Sequence, residues 1–158
     1  ADQARFNPMA YHKGSVWPHD NALCAHGLAR SGAKGAAVRL LQALFQATVN
    51  FDMRLPELFC GFPRRRGEPP TAYPVACLPQ AWAAGSPFMM LEACLGITID
   101  ADRREVLIEQ PMLPDGIDWL EVGDLRVGDA SVTITFTRVA GKVVASAEQG
   151  DVRVVALL

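Results

Sequence analysis

The sequence predicts an α+β protein, with helices first and strands after. Residues 34–51 place Val38, Leu41, Phe45 and Thr48 on one face at helical spacing, with Leu40 and Leu44 beside them. Residues 131–138 alternate, Val132, Ile134 and Phe136 against Thr133, Thr135 and Thr137, which is the period of a half-buried antiparallel strand. The character of the chain changes near residues 97–105, so the sequence divides into a helical part, 1–97, and an antiparallel β tail, 98–158.

The elements follow from local chemistry. Residues 1–14 lack periodicity and read as an extended approach, with Gly14 and Ser15 suiting a turn. Pro18 is tolerated in the first turn of a helix, where its missing N–H costs nothing. The first helix therefore runs from Pro18 to Ser31, stopped by Gly32. A second runs from Lys34 to Phe51, and the short connection predicts an antiparallel hairpin. A third starts near Pro79 or Gln80 and ends at Leu95, with Pro87 expected to kink it or delay its start. It is apolar nearly all round, so it should meet partners on every side or leave a large apolar patch. Beyond it, strands are expected at Val106–Ile108, at Leu120–Val122, at Leu125–Val127, over 131–138, at Val143–Ala147 and at Val152–Leu157. Turns fall at 111–116, Gly141-Lys142 and Gln149–Asp151.

Composition excludes several classes of function. The 158 residues are half hydrophobic and one-fifth charged, with a formal net charge of -2. Neither nucleic acid nor an anionic membrane surface is an expected partner. No apolar run is long enough to span a bilayer. Cys24, Cys60, Cys77 and Cys94 show no zinc spacing and no CxxC, and read as free thiols of a cytoplasmic protein. Cys60 and Cys77 flank one loop, but sequence does not decide whether they pair.

That loop, residues 54–82, carries the chemistry. It holds six prolines and is too rich in Leu, Phe, Tyr and Trp for a solvated linker. Glu57 stands between Leu55-Pro56 and Leu58-Phe59, where desolvation would raise its pKa and suit a general acid or base. The alternative is a loop cap, or a pair with Arg54 or an arginine from 64–66. Asp20 is a second candidate carboxylate, against which stands an ordinary first-turn helix charge. Hydrolysis of a glycosidic bond uses two carboxylates, ~6.5–9.5 Å apart when the reaction inverts. His12 and His19 flank Trp17, but no third metal ligand has recognisable spacing, so no metal and no cofactor is called for. Aromatic faces and polar edges suit a sugar ring better. Tyr11, Trp17, Tyr73 and Trp82 would supply faces; His12, His19, Asp20, Asn21 and Gln80 would supply hydrogen bonds. His26 reads as structural. No GxSxG motif supports a serine nucleophile.

Three blocks in order, YHKGSVWPHDNAL (11–23), RLPELFCGF (54–62) and YPVACLPQAWAAG (73–85), resemble the C-terminal part of bacterial amylo-α-1,6-glucosidase, or glycogen-debranching-enzyme-like, glycoside hydrolases. The later LEVGDLRVGDASVTITFTR is similar to that family's β tail. The resemblance implies the last helices of an (α/α)6 barrel, acting on α-glucosidic bonds by inversion. It implies Glu57 as the general base and Trp17, His19 and Asp20 as contacts in the sugar pocket. Tyr11, His12, Gln80 and Trp82 join them as expected substrate contacts. The family's general acid is an aspartate well upstream. The chain is therefore expected to be the last part of a longer enzyme and inactive alone, and to self-associate or pair with the missing N-terminal part. The partner would be an α-glucan or oligosaccharide. Rival readings are a trehalase-like or other α-glucosidase barrel, and a carbohydrate-binding module without catalysis.

Overall fold

The computed structural model describes residues 4–148 and 150–157. Its order is α1 (Pro18–Arg30), α2 (Lys34–Thr48), a 3-10 turn (Val49–Phe51), α3 (Ala81–Leu95), then β1 (Ile97–Asp100), β2 (Glu105–Glu109), β3 (Trp119–Val127), β4 (Ala130–Val139), β5 (Lys142–Ala147) and β6 (Arg153–Leu157). This is a mixed α+β chain. Gln149, expected in the last turn, lies outside the described residues.

The helices do not form part of an (α/α)6 barrel, which corrects the architecture implied by the resemblance. Each of the three touches both others and they enclose a core of their own. Small side chains allow this: Ala22 and Ala25 of α1, Ala37 of α2 and Ala83 of α3 are fully buried where the helices approach. Leu41, Leu44, Met90 and Cys94 fill the space between them. The second helix ends earlier than expected, at Thr48, because Asp52 and Met53 take left-handed backbone conformations. Phe45, expected on the buried face, points to solvent while Ala37 and Ala47 are inside. Pro87 neither delays nor ends α3, which begins six residues before it and runs on to Leu95. Trp82 and Phe88 leave the apolar third helix partly uncovered, at 43% and 74% exposure.

The β tail is two three-stranded sheets, ordered β1-β2-β6 and β3-β4-β5. The tail is not wholly antiparallel, because β6 runs parallel to β2, pairing Val106 with Val154 and Ile108 with Ala156. Its entry is fixed by Arg153 N–H donating to the Arg104 carbonyl at 2.8 Å. The β1 strand, absent from the sequence reading, is only four residues long and shows no alternation of burial. The two short strands expected over 120–127 are one strand with an irregularity between Val122 and Leu125, where Asp124 is left-handed. The buried face of β4 is the predicted one: Val132, Ile134 and Phe136 join Val106, Ile108 and Val127 in a second core. Leu95, at the end of α3, belongs to that core too, so α3 roots the helices in the sheets. The change to strand follows directly at Gly96, which is left-handed and lies against the Glu109 carbonyl where a side chain would collide. The 97/98 division expected from sequence falls within β1.

Phe136 is the largest fully buried side chain. Phe136→Ala is expected to lower stability by about 3–5 kcal/mol, read as a fall in the urea midpoint, because it empties the space between the two sheets.

Candidate active site

The site is assembled by backbone pairing between three distant segments. Val16 and Phe59 exchange hydrogen bonds of 2.8 and 3.0 Å, and Phe59 also bridges Ala72 on its other side. Cys60 N–H donates to the Thr71 carbonyl at 2.9 Å. The loop is thus a short irregular sheet, which is how its backbone groups are satisfied without a regular element. Of residues 1–14, expected to be extended, the described ones, 4–14, form a series of turns. Asn7 N–H donates to the Lys13 carbonyl at 3.1 Å and Ser15 N–H to the Ala10 carbonyl at 3.2 Å. Two glycines permit the fit. A side chain on Gly14 would strike the Asn7 carbonyl, and one on Gly61 would strike the carbonyl of Gly14.

This packing brings Tyr11 to Glu57. The Tyr11 hydroxyl donates to Glu57 Oε1 at 2.6 Å, and Cys77 N–H donates to Oε2 at 3.1 Å. Glu57 N–H donates to the Cys77 carbonyl at 3.0 Å, so the glutamate is held at backbone and side chain alike. Glu57 as a residue is only 7% exposed and is flanked by Leu55 and Leu58, both buried. Burial was expected to raise its pKa. The direction is the reverse: the Tyr11 hydroxyl first, then the Cys77 N–H, hold the carboxyl below its ordinary range, and these donors outweigh desolvation. Glu57 is therefore ionised at neutral pH. The same hydrogen bond pushes the Tyr11 phenol up to about 12. The suggested ion pairs with Arg54 or the 64–66 arginines do not form. Arg64 donates to Gln46 at 2.7 Å and Arg65 faces Glu68 at 3.7 Å.

Around this pair stands an aromatic cluster. The Tyr11 ring meets His12, Trp17 and Tyr73 edge-on at centroid distances of 4.6, 4.7 and 5.7 Å. Trp17 meets Trp82 edge-on at 5.9 Å, and the His19 ring stacks on Trp82 at 5.0 Å. Trp17 is nearly buried, and its Nε1–H donates to the Tyr11 carbonyl at 2.9 Å. Trp82 is half open to solvent. The structure thus brings together six of the eight residues expected as general base and substrate contacts: Tyr11, His12, Trp17, His19, Glu57 and Trp82. Two stand apart in their bonding. Gln80 turns its Oε1 onto Ala81 N–H at 3.0 Å and caps α3. Asp20 is exposed in the first turn of α1 and has no hydrogen bond or ion pair among the described residues.

Cys77 is the contributor that sequence reasoning missed. It acts through its backbone N–H, and no side-chain type announces a backbone donor. Its thiol is unpaired, as are those of Cys24, Cys60 and Cys94. No His, Cys, Asp or Glu cluster among the described residues has the make-up of a metal site.

No family model and no curated protein matches the chain. The resemblance therefore rests on its three sequence blocks, and function is argued from the geometry around Glu57.

Removing the Tyr11 hydroxyl takes away the first cause of the lowered Glu57 pKa. In Tyr11→Phe the Glu57 carboxyl is expected to titrate at higher pH, and in Glu57→Gln the Tyr11 phenol should fall from about 12 toward its ordinary 10. Carboxyl carbon NMR reads the first shift and phenolate absorbance the second. Because the folded pKa of Glu57 is depressed, its ionised form favours folding above the ordinary carboxylate range. That contribution is lost as pH falls through the depressed value, and Tyr11→Phe should shrink it.

Proposed function

We propose that this chain carries the general base and part of the sugar-binding wall of an inverting glycoside hydrolase acting on α-glucosidic bonds, of the debranching α-1,6-glucosidase type. The observation that carries the proposal is the Glu57 carboxylate, buried, ionised and oriented by the Cys77 N–H and by the hydroxyl of Tyr11, whose ring packs on Trp17 and through it on Trp82. An ionised carboxylate with two of its lone pairs engaged still has lone pairs to accept a proton from water. The donors fix the direction in which those lone pairs face, which is the positioning that general-base catalysis requires. The half-exposed indole of Trp82 offers apolar surface to a pyranose face, with the buried Trp17 backing it edge-on, and the imidazoles of His12 and His19 offer donors and acceptors to hydroxyls.

The reading assigns the general acid to another segment, upstream in a longer protein as the resemblance implies. Asp20 is unconnected to the Glu57 cluster, which supports looking elsewhere. The exposed Phe45, Val49, Met53 and Phe88 support an apolar contact with that segment or with a second copy. A cytoplasmic location is part of the same proposal, supported by four unpaired thiols, one of them beside the carboxylate. No helix among the described residues is long and apolar enough to cross a membrane.

A second reading, carbohydrate binding without turnover, is favoured by one observation: the cluster contains a single carboxylate. The two separate by experiment. In the enzyme that includes the acid-bearing segment, Glu57→Gln is expected to cut α-1,6-glucosidic turnover by about 10²–10⁴-fold with little change in substrate affinity. Near-normal turnover of that variant would end the general-base assignment.

A further inference from the structure

A cleft bordered by Val16 and Phe59 lies apart from the Glu57 cluster. It measures about 300 Å³, at the lower end of the range for small-ligand pockets, and runs between α2 and the roof formed by residues 62–71. The roof is tied down at two points: Arg64 donates to Gln46 Oε1 of α2 at 2.7 Å, and Cys60 N–H closes its base on the Thr71 carbonyl at 2.9 Å. The cleft is therefore preformed rather than created by a loose loop.

Its lining has a definite chemistry. Phe59 and Phe62 contribute aromatic surface, and Phe62 is 46% exposed with no packing role in either core. Asn21, Gln46 and Asn50 contribute amides that are each half used. Asn21 Nδ2 donates to the Trp17 carbonyl at 2.8 Å and Asn50 Nδ2 to the Ala47 carbonyl at 3.4 Å, which leaves both Oδ1 atoms without a partner among the described residues. Gln46 accepts from Arg64 and keeps its own N–H donors. An aromatic face with convergent amide donors and acceptors fits a neutral polyhydroxylated ring. The charged groups that line the cleft already have partners, Arg65 facing Glu68 at 3.7 Å and Arg64 donating to Gln46 at 2.7 Å, whereas the two Oδ1 atoms have none among the described residues, which favours a neutral hydroxyl-bearing ligand.

We propose that this cleft binds a neutral glucan segment, as a second carbohydrate site separate from the Glu57 cluster. The two sites share a wall: Val16 and Phe59, whose backbones pair, border the cleft, and Asn21 holds the carbonyl of Trp17. The proposal rests on the carbohydrate reading of the Glu57 cluster for its ligand class. It differs in predicting that long glucans gain affinity from residues that never meet the reacting bond.

The test is calorimetry of the full chain with maltoheptaose and with maltose, on wild type and on Phe62→Ala, Asn50→Ala and Trp82→Ala. Phe62 and Asn50 are exposed, and circular dichroism checks that each variant stays folded. Phe62→Ala and Asn50→Ala are each expected to weaken maltoheptaose binding by about fivefold or more while leaving maltose unchanged. Unchanged maltoheptaose affinity in both variants would overturn the second site, and a loss confined to Trp82→Ala would do so while sparing the first. A loss in Phe62→Ala with none in Trp82→Ala would uphold the cleft and overturn the sugar pocket at Trp82. Absence of maltoheptaose binding by wild type would overturn both.

Discussion

Phe59 is paired on both sides, and the site depends on that clamp: its own N–H and carbonyl bond Val16, while its neighbour Cys60 donates to the Thr71 carbonyl on the other side. Phe59 stands between Val16, at the threshold of α1, and Ala72, in the later half of the proline-rich loop. Without the clamp, the backbone groups of Val16 and Phe59 would be left unpaired at the join between loop and helix, and burying them would cost free energy for each unpaired group. With it, Glu57 stands two residues from a fixed point. The tight approach of Gly61 to Gly14 sets how deeply the N-terminal turns can settle against the loop. Tyr11 reaches the carboxylate only because they settle that far.

The electrostatics of Glu57 show which of two opposing effects wins. Burial among leucines and prolines disfavours the charged carboxylate. Two donors aimed at its two oxygens favour it, one a phenol at 2.6 Å and one a peptide N–H at 3.1 Å. Hydrogen bonds to an ionised group are the stronger kind, and here they set the direction. The result is a carboxylate that is shielded from bulk water and still charged, with an orientation fixed from both ends. A carboxyl raised by desolvation alone would lean toward the acid's role. The observed environment leans toward the base's.

Two cores meet at the end of α3. Met90 and Cys94 face the helical cluster, while Leu95 enters the sheet cluster, and Gly96 turns the chain between them. Lys34, at the start of α2, reaches across and donates to the Gln110 carbonyl at 3.1 Å. Burial there pulls its ammonium below the usual lysine range. The helical layer that carries the site is thereby braced on the sheets by both packing and a charged hydrogen bond.

Much of this was legible in the order of residues. Helix positions followed from the spacing of Val38, Leu41 and Leu44 and from Pro18 at a helix start. The β4 face followed from strict alternation, since a period of two has only one way to bury Val132, Ile134 and Phe136. Glu57 stood out because a carboxylate among apolar neighbours is unusual in any fold. Those features are local, and local chemistry alone determines them. Tertiary structure decided the rest. Whether three helices extend a barrel or close on one another depends on which alanines meet, and β6 lies parallel to β2 through a pairing that spans some fifty residues of chain. The sign of the Glu57 shift turned on a hydroxyl 46 positions away and a backbone N–H 20 positions away. No window along the sequence contains those donors together, so only the folded chain could decide that the buried carboxylate stays charged.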